Sequence, residues 1–228
     1  MPLARYLADY QTRLSSAADP IRATGMAAYM KHHFAFLGIP TPDRRKMVAH
    51  IELAAKKELQ SAQLLALAAL LYSQNEREYH YCALDLLHRC HGLLSAADWP
   101  QIEAMIIQHS WWDSVDTLAA KIVGPLVKRE PALLARMDEL IGHDNLWLRR
   151  TAILYQLGWK ADTDQARLFK ACLANAADPD FFIRKAIGWA LRQYARTAPA
   201  AVADFVARHR AQLSPLSQRE ALKHSQSQ

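Results

Sequence analysis

The order of apolar and polar positions along the chain is helical over almost its whole length. Apolar residues recur three and four positions apart, as in Leu64, Leu65, Ala68 and Leu71, whereas the alternation expected of a half-buried strand is missing. The 7 glycines and 10 prolines stand mostly at breaks between apolar stretches. This pattern predicts an all-α fold of about a dozen helices with short connections.

One helical pattern occurs twice at a spacing of 35 residues, as WLRRT (147–151) and FIRKA (182–186). Each copy follows an acidic break, at Asp144 or Asp180, and continues into an apolar helix. A helical period of roughly 35 to 40 residues is typical of paired-helix solenoids, in which one helix of each pair lines a shared concave surface. The repeat therefore predicts a HEAT-like solenoid.

Equivalent positions of successive repeats should lie side by side on that surface. A step of 34 residues back from Arg150 reaches Asp116, and a further 35 residues reaches Tyr81. Lys185 occupies the position equivalent to Arg150 in the next repeat. We therefore expect these four residues to form one row across the surface.

The motif SWWDSVD (110–116) brings two indoles and two carboxylates together in the chain. Ser110 and Asp113 have the S-x-x-D form of a capping box, which predicts a helix beginning there. Trp112 and Asp116 are then four residues apart on one face of that helix. This pair is the candidate site, and side chains of the neighbouring repeats would face it.

Composition leaves two domain organisations open, because a chain of 228 residues with 51% hydrophobic content can form one extended domain or two small ones. The repeat favours a single solenoid domain over residues 1–228, with 224–228 as a frayed tail. The 28 Lys and Arg against 22 Asp and Glu give a net charge of +6. That surplus favours a polyanionic partner, although it is also common in proteins that bind none.

The cysteines and the N-terminal segment indicate a soluble cytoplasmic protein. Cys82, Cys90 and Cys172 lie inside apolar helical patterns and are interpreted as reduced core residues. The N-terminus lacks the apolar core of a signal peptide, and no apolar run approaches the roughly 18 residues of a membrane span. His32 and His33 have no Cys, Asp or Glu nearby to complete a ligand set, so no metal site is expected.

Basic residues accompany the row, with Trp189 one turn after Lys185. Lysines and arginines on a curved surface would bind phosphates, while aromatic side chains between them would meet sugars and bases. The alternative is that these charges are solvated outer faces of helices. The candidate DNA-binding cations are Arg44, Arg45, Arg149, Arg184, Lys185, Arg192, Arg219 and Lys223, with Arg196 further along.

Five further stretches stand in a fixed order around SWWDSVD: YMKHHF (29–34), GIPTPDRR (38–45), NLWLRR (145–150), FFIRKAIGW (181–189) and PLSQREALK (215–223). Together they resemble the AlkD family of DNA alkylation-repair glycosylases over nearly the whole chain. The resemblance implies a HEAT-like solenoid that removes positively charged N3- and N7-alkylated purines, such as 3-methyladenine and 7-methylguanine, from duplex DNA. We expect a monomeric, monofunctional enzyme that needs no cofactor or metal.

The resemblance also implies roles for particular residues. Tyr29 matches an aromatic residue near the DNA. Pro40 stands where the best-known member of the family has glutamine, so a side-chain hydrogen bond from that turn to DNA is not expected. The residues that would surround the lesion are Asp116, Trp112, Arg150 and Trp189.

The chemistry expected of these residues follows from the charge of the substrate. An N3- or N7-alkylated purine is a cation and leaves as a neutral molecule, so that a general acid is not needed. Asp116 would stabilise the positive charge that develops on the deoxyribose, and it could also orient or deprotonate the attacking water. Trp112 and Trp189 offer electron-rich faces to the cationic nucleotide. Arg150 could clamp a phosphate or hold Asp116 in place.

Each of these assignments has an alternative. Asp116 could be a structural acid paired with Arg150. The whole chain could be a non-catalytic HEAT-like module that binds DNA or a protein, since fold does not fix function.

Other residues carry weaker signals. Trp111 is interpreted as a core residue, because it points away from Trp112. Trp147 and Trp159 are interpreted as packing residues. Lys31 and Lys185 could form a Schiff base in a lyase step only if burial lowered their pKa.

Overall fold

Helices joined by short turns make up the computed structural model, which describes residues 2–223. The α-helices are α1 (Pro2–Ser15), α2 (Pro20–Tyr29), α3 (Thr41–Glu58), α4 (Ser61–Tyr72), α5 (Arg77–Cys90), α6 (Trp99–Ile107), α7 (Trp112–Thr117), α8 (Gly124–Arg129), α9 (Leu134–Leu140), α10 (Leu146–Leu154), α11 (Gln165–Ala174), α12 (Phe181–Ala195), α13 (Pro199–Arg208) and α14 (Pro215–Ala221). Over residues 2–223 the β pairing consists of one isolated bridge, between Ala35 and Glu76. The all-α prediction is confirmed.

The chain divides into two compact units, Met1–Gln101 and Ile102–Gln228. A single domain over residues 1–228, and a concave surface shared by all repeats, stay predictions. The expected frayed tail at 224–228 lies outside the described residues.

In the first unit, a buried carboxylate fixes the loop between α2 and α3. Glu78, at the start of α5, accepts the backbone N–H groups of residues 37–39 at 2.9, 2.8 and 3.1 Å. Gly38 has φ +89°, and a Cβ there would lie 2.1 Å from the carbonyl oxygen of Asp19. Only glycine fits this turn, which sets the path of the chain into α3.

In the second unit, α7 and α8 are parts of one continuous helix, joined by the π-helical segment Leu118–Val123. Pro125 has no N–H, so the carbonyl of Lys121 lacks its i+4 donor and the helix widens ahead of the proline. The widened segment directly follows the turn that carries Asp116.

Contacts between successive helix pairs of the second unit join residues about one repeat apart. The guanidinium of Arg150 contacts the carboxylate of Asp116, 34 residues away. The hydroxyl of Ser217 donates to the carbonyl of Arg184, 33 residues away, at 2.9 Å. Repeat-equivalent positions therefore do lie side by side within this unit, as the sequence spacing predicted.

All three cysteines are buried and unpaired, as expected of core residues. Burial raises the pKa of Cys82, Cys90 and Cys172 above the ordinary thiol value, so their thiols stay protonated. Among the described helices, none combines the length and the apolar character that crossing a bilayer requires.

Candidate functional site

The helix that carries Asp116 begins later than the capping motif predicted. Trp111 is the N-cap residue of α7, and no side chain caps this helix. The hydroxyl of Ser110 instead donates to the carbonyl of Ile106 at 2.7 Å, so this residue completes the end of α6. The predicted Ser110–Asp113 capping box is wrong, whereas Trp112 and Asp116 do occupy one helix, four residues apart.

Asp116 forms a bidentate ion pair with Arg150 of α10. Arg150 Nε donates to Oδ1 at 2.7 Å and Nη2 donates to Oδ2 at 2.9 Å, while Nη1 donates to the carbonyl of Phe182 at the start of α12. The planar guanidinium thus fixes the carboxylate and ties together helices of three repeats. Of the two roles expected for Arg150, holding Asp116 fits its burial, because only 3% of its side chain is exposed.

Asp116 is mostly withdrawn from solvent but still reachable, with 15% of its side chain exposed. Burial raises the pKa of Asp116 above its ordinary value, and the nearby Asp113 acts in the same direction. The ion pair with Arg150 lowers that pKa but does not fully offset the effect of burial. The result is a poorly solvated carboxylate held in one orientation.

Trp189 lies on α12 between two cations that share one carboxylate. Lys185, Trp189 and Arg192 are spaced so that they follow one face of the helix. Lys185 Nζ lies 2.8 Å from Glu220 Oε1, and Arg192 Nη1 lies 2.5 Å from Glu220 Oε2. The start of α12 is fixed by Asp180, whose carboxylate caps the helix.

Sequence reasoning missed Glu220, although the signal was present. A further step of 35 residues from Lys185 reaches Glu220, so the expected row has one more member. The structure brings Asp116 together with Arg150 and Lys185 together with Glu220. Tyr81 belongs to the first unit, and its alignment with the row stays a prediction.

An aromatic cluster borders the ion pair of Asp116. The ring of Trp111 lies 5.9 Å from that of Trp147 and 5.0 Å from that of Phe182, and the last two are 5.2 Å apart. The Trp159 indole donates to the carbonyl of Gly124 at 3.2 Å. The packing contacts predicted for Trp147 and Trp159 are present, whereas Trp111, expected in the core, packs against other rings but remains partly exposed, as do the other two.

Two of the predicted DNA-binding arginines contact the loops that precede α10 and α12. Arg149 Nη1 donates to the carbonyls of His143 and Asp144 at 2.7 and 2.8 Å, and Nη2 donates to the carboxylate of Asp178 at 2.8 Å. Arg184 Nε donates to the carbonyl of Asp178 at 2.9 Å. Both side chains therefore organise helix starts in this structure.

Arg44, Arg45 and Tyr29 are the members of the predicted set that lie in the first unit. Arg44 is buried, with 3% of its side chain exposed, and its Nη2 lies 2.7 Å from Asp85. The guanidinium of Arg44 also lies 4.8 Å from the ring centre of Tyr81. Arg44 therefore forms a buried ion pair instead of the expected phosphate contact. Arg45 also contacts Asp85 but remains 60% exposed, and Tyr29 is 70% exposed at the end of α2.

The last two predicted cations, Arg219 and Lys223, are exposed on or just after α14. Pro40 is the N-cap residue of α3 and provides no side-chain hydrogen bond to the helix. Within residues 2–223 no three His, Cys, Asp or Glu side chains form a group suited to a metal ion.

Comparison with known proteins connects this geometry to a family. A sequence model described as DNA alkylation repair enzyme matches residues 10–225. The solved structure of a predicted DNA alkylation repair enzyme from Enterococcus faecalis is 35% identical, with a TM-score of 0.83, and the match covers 92% of this chain and 98% of that one. No curated protein matches the chain.

Proposed function

Because the chain belongs to the DNA alkylation repair enzyme family, we propose that it is a glycosylase that hydrolyses the N-glycosidic bond of cationic alkylpurines in duplex DNA. Its substrates would be N3- and N7-alkylated purines such as 3-methyladenine and 7-methylguanine. The observation that carries the proposal is the carboxylate of Asp116, which is desolvated, fixed by two hydrogen bonds and still 15% exposed.

The leaving group determines what the protein must supply. A cationic alkylpurine departs as a neutral base, so the barrier lies in the positive charge that the deoxyribose acquires as the bond breaks. A fixed carboxylate beside that charge lowers the barrier, and it acts more strongly where water is excluded. Asp116 supplies this charge in the proposed mechanism, and it would also orient or deprotonate the attacking water.

The other members of the site would position and recognise the cation. Arg150 holds both oxygens of Asp116, which leaves the carboxylate no freedom to turn away. Trp112 and Trp189 would present their ring faces to the charged nucleotide, each contributing about 0.5 to 2 kcal/mol according to the degree of desolvation. An uncharged purine would gain little from these contacts and would leave as an anion, so selectivity would follow from the charge of the lesion.

The contacts with the DNA backbone would come from exposed cations. Arg45 is 60% exposed, and Arg219 and Lys223 are exposed at the C-terminal end of the described chain. Arg45 is exposed although it is paired with Asp85, whose side chain is 12% exposed. We propose that the protein acts as a monomer on cytoplasmic DNA.

Release of free base from a methylated duplex tests the proposal. The wild-type protein should liberate 3-methyladenine or 7-methylguanine, and Asp116→Asn should reduce the rate by about 100-fold or more, the size of effect seen when one fixed electrostatic group is removed. Asp162→Asn is a matched control, because Asp162 is 66% exposed and pairs with Lys128 away from the row.

Unfolding of each variant must be measured alongside the rate. Normal base release by a stably folded Asp116→Asn would show that this carboxylate is not catalytic. Tight duplex binding without any released base by the wild-type protein would favour the non-catalytic binding module instead.

A further inference from the structure

The row that contains the proposed catalytic acid ends in a second carboxylate, that of Glu220 on α14. Glu220 contacts Lys185 and Arg192, which lie on either side of Trp189 on the same face of α12. Two positive charges and one negative charge give this face a net charge of +1. Without Glu220 the same face would present two uncompensated cations.

The packing of α14 on α12 fixes Glu220 at this position. A Cβ at Gly188 would lie 2.5 Å from Glu220 Cβ and 3.0 Å from the carbonyl oxygen of Ser217, so α14 can approach only because residue 188 is glycine. The hydroxyl of Ser217 adds a hydrogen bond to the carbonyl of Arg184 at 2.9 Å. The PLSQREALK segment thus delivers one carboxylate to the face that carries Trp189.

The two cations are more exposed to solvent than Glu220. The exposed fractions of the side chains are 39% for Lys185, 22% for Arg192 and 11% for Glu220. The carboxylate therefore approaches the cations from the α14 side and leaves their outer surface to solvent. Each cation uses one donor atom on Glu220, so further N–H donors are left for another anion.

We propose that Glu220 is an internal counterion that limits the attraction of Lys185 and Arg192 for DNA phosphates and so holds down the affinity for undamaged duplex. The inference rests on the proposed function in that the anion is a phosphate of duplex DNA. A phosphate beside Trp189 would contact two cations that Glu220 already orients. The net charge of this face would be +1 instead of +2. Weak binding to ordinary DNA would let the protein move on from sites without a lesion.

Binding of an undamaged duplex as a function of salt concentration tests this role without any catalytic step. Glu220→Gln should tighten binding at low salt, on the order of fivefold, and steepen the slope of log K against log salt by about 0.9, the value for one more neutralised phosphate. A role of Glu220 in folding alone would weaken binding. The matched control is Glu139→Gln, which removes the same charge from an exposed ion pair with Arg136 and should leave the slope unchanged.

A second pair of variants keeps the test decisive if Glu220→Gln does not fold. Lys185→Gln and Arg192→Gln each leave Glu220 with one cation, and each should reduce the salt slope by about 0.9. Slopes equal to that of the wild-type protein in these two variants would overturn the proposal. So would equal slopes for Glu220→Gln and Glu139→Gln. Absence of base release by the wild-type protein would refute the proposed function while these binding slopes still decide the role of Glu220.

Discussion

Asp116 and Glu220 stand at two positions of one row, and each contacts a basic residue one repeat away, yet their pKa values move in opposite directions. Burial raises the pKa of Asp116 despite its pair with Arg150. The hydrogen bond from Lys185, supported by Arg192, lowers the pKa of Glu220 despite some burial. Similar pairing chemistry therefore gives one carboxylate that is costly to ionise and another that ionises easily.

The difference comes from the charged partners and from the burial of Arg150. Arg150 is 3% exposed, so the pair with Asp116 is screened little and solvated poorly. Glu220 contacts two cations, Lys185 and Arg192, whereas Asp116 has one cation and the like charge of Asp113 nearby. A poorly solvated carboxylate stabilises a developing cation strongly, whereas a well-compensated one suits a counterion. The comparison thus separates a site for chemistry from a site for charge balance.

The largest expected effect follows from removing the buried partner. Arg150→Met should lower the free energy of unfolding by roughly 3–5 kcal/mol, because it leaves Asp116 buried without a counterion. Lys185→Met should cost less than about 1 kcal/mol, because its ion pair is partly exposed and Arg192 still holds Glu220. Urea denaturation of the two variants measures the contrast, and equal losses would contradict it.

Gly188→Ala should have the next largest effect. The added methyl group would meet Glu220 Cβ at 2.5 Å, so α14 must shift, at a cost of about 1–3 kcal/mol typical of overpacking. Gly142→Ala is the control, because nothing lies within 4 Å of a Cβ at that position. If thermal or chemical unfolding showed both variants to be as stable as the wild-type protein, the close approach of α14 would not require glycine.

The pH dependence of stability should have opposite signs at the two acids. The pKa of Asp116 is raised above 3.8, so its carboxyl group favours the folded state at low pH. The wild-type protein should therefore lose stability relative to Asp116→Asn as the pH rises from 3.8 through the folded pKa. The pKa of Glu220 is lowered below 4.5, so its contribution is complete above that pH and is lost as the pH falls through the folded pKa.

Unfolding free energies of the wild-type protein, Asp116→Asn and Glu220→Gln across the acid range check these signs. Each difference should change by no more than about 1.4 kcal/mol per pH unit, the limit for a single proton. If the two free-energy differences changed with pH in the same direction, one of the two pKa shifts would have the opposite sign. The rate of base release by the wild-type protein should fall on acidification with a midpoint above that of an ordinary aspartate, because Asp116 must be ionised to act.

Local patterns predicted the helices and the central ion pair. The three- and four-residue spacing of apolar side chains fixes helical structure directly, and repeat spacing brought Asp116 to Arg150. The capping of α7 was mispredicted, because the hydroxyl of Ser110 had an equally near acceptor in the preceding helix, at Ile106. Ser110 could cap α7 or donate to the carbonyl of Ile106. Backbone geometry decides between these two hydrogen bonds, and the residue types alone do not specify that geometry.

The burial of charged residues was the main feature that the spacing of residues in the sequence did not predict. Arg44 was expected at a surface, but a carboxylate and an aromatic ring from α5 enclose it. Glu220 was missed because its importance depends on the docking of α14 against Gly188. Both are tertiary effects, in which residues distant in the chain determine whether a charge meets solvent.

The smallest expected effect concerns a third acid, Asp178, which forms an ion pair with Arg149 as Glu220 does with Lys185. Arg149 already donates to Asp178 and to two loop carbonyls, so Arg149→Ala should change the salt slope of duplex binding by well under the ~0.9 of a full phosphate contact. Arg219 is exposed, and Arg219→Ala should lower that slope by about 0.9. A larger change for Arg149 than for Arg219 would mean that internal pairing does not limit phosphate binding, and it would weaken the counterion role of Glu220 as well.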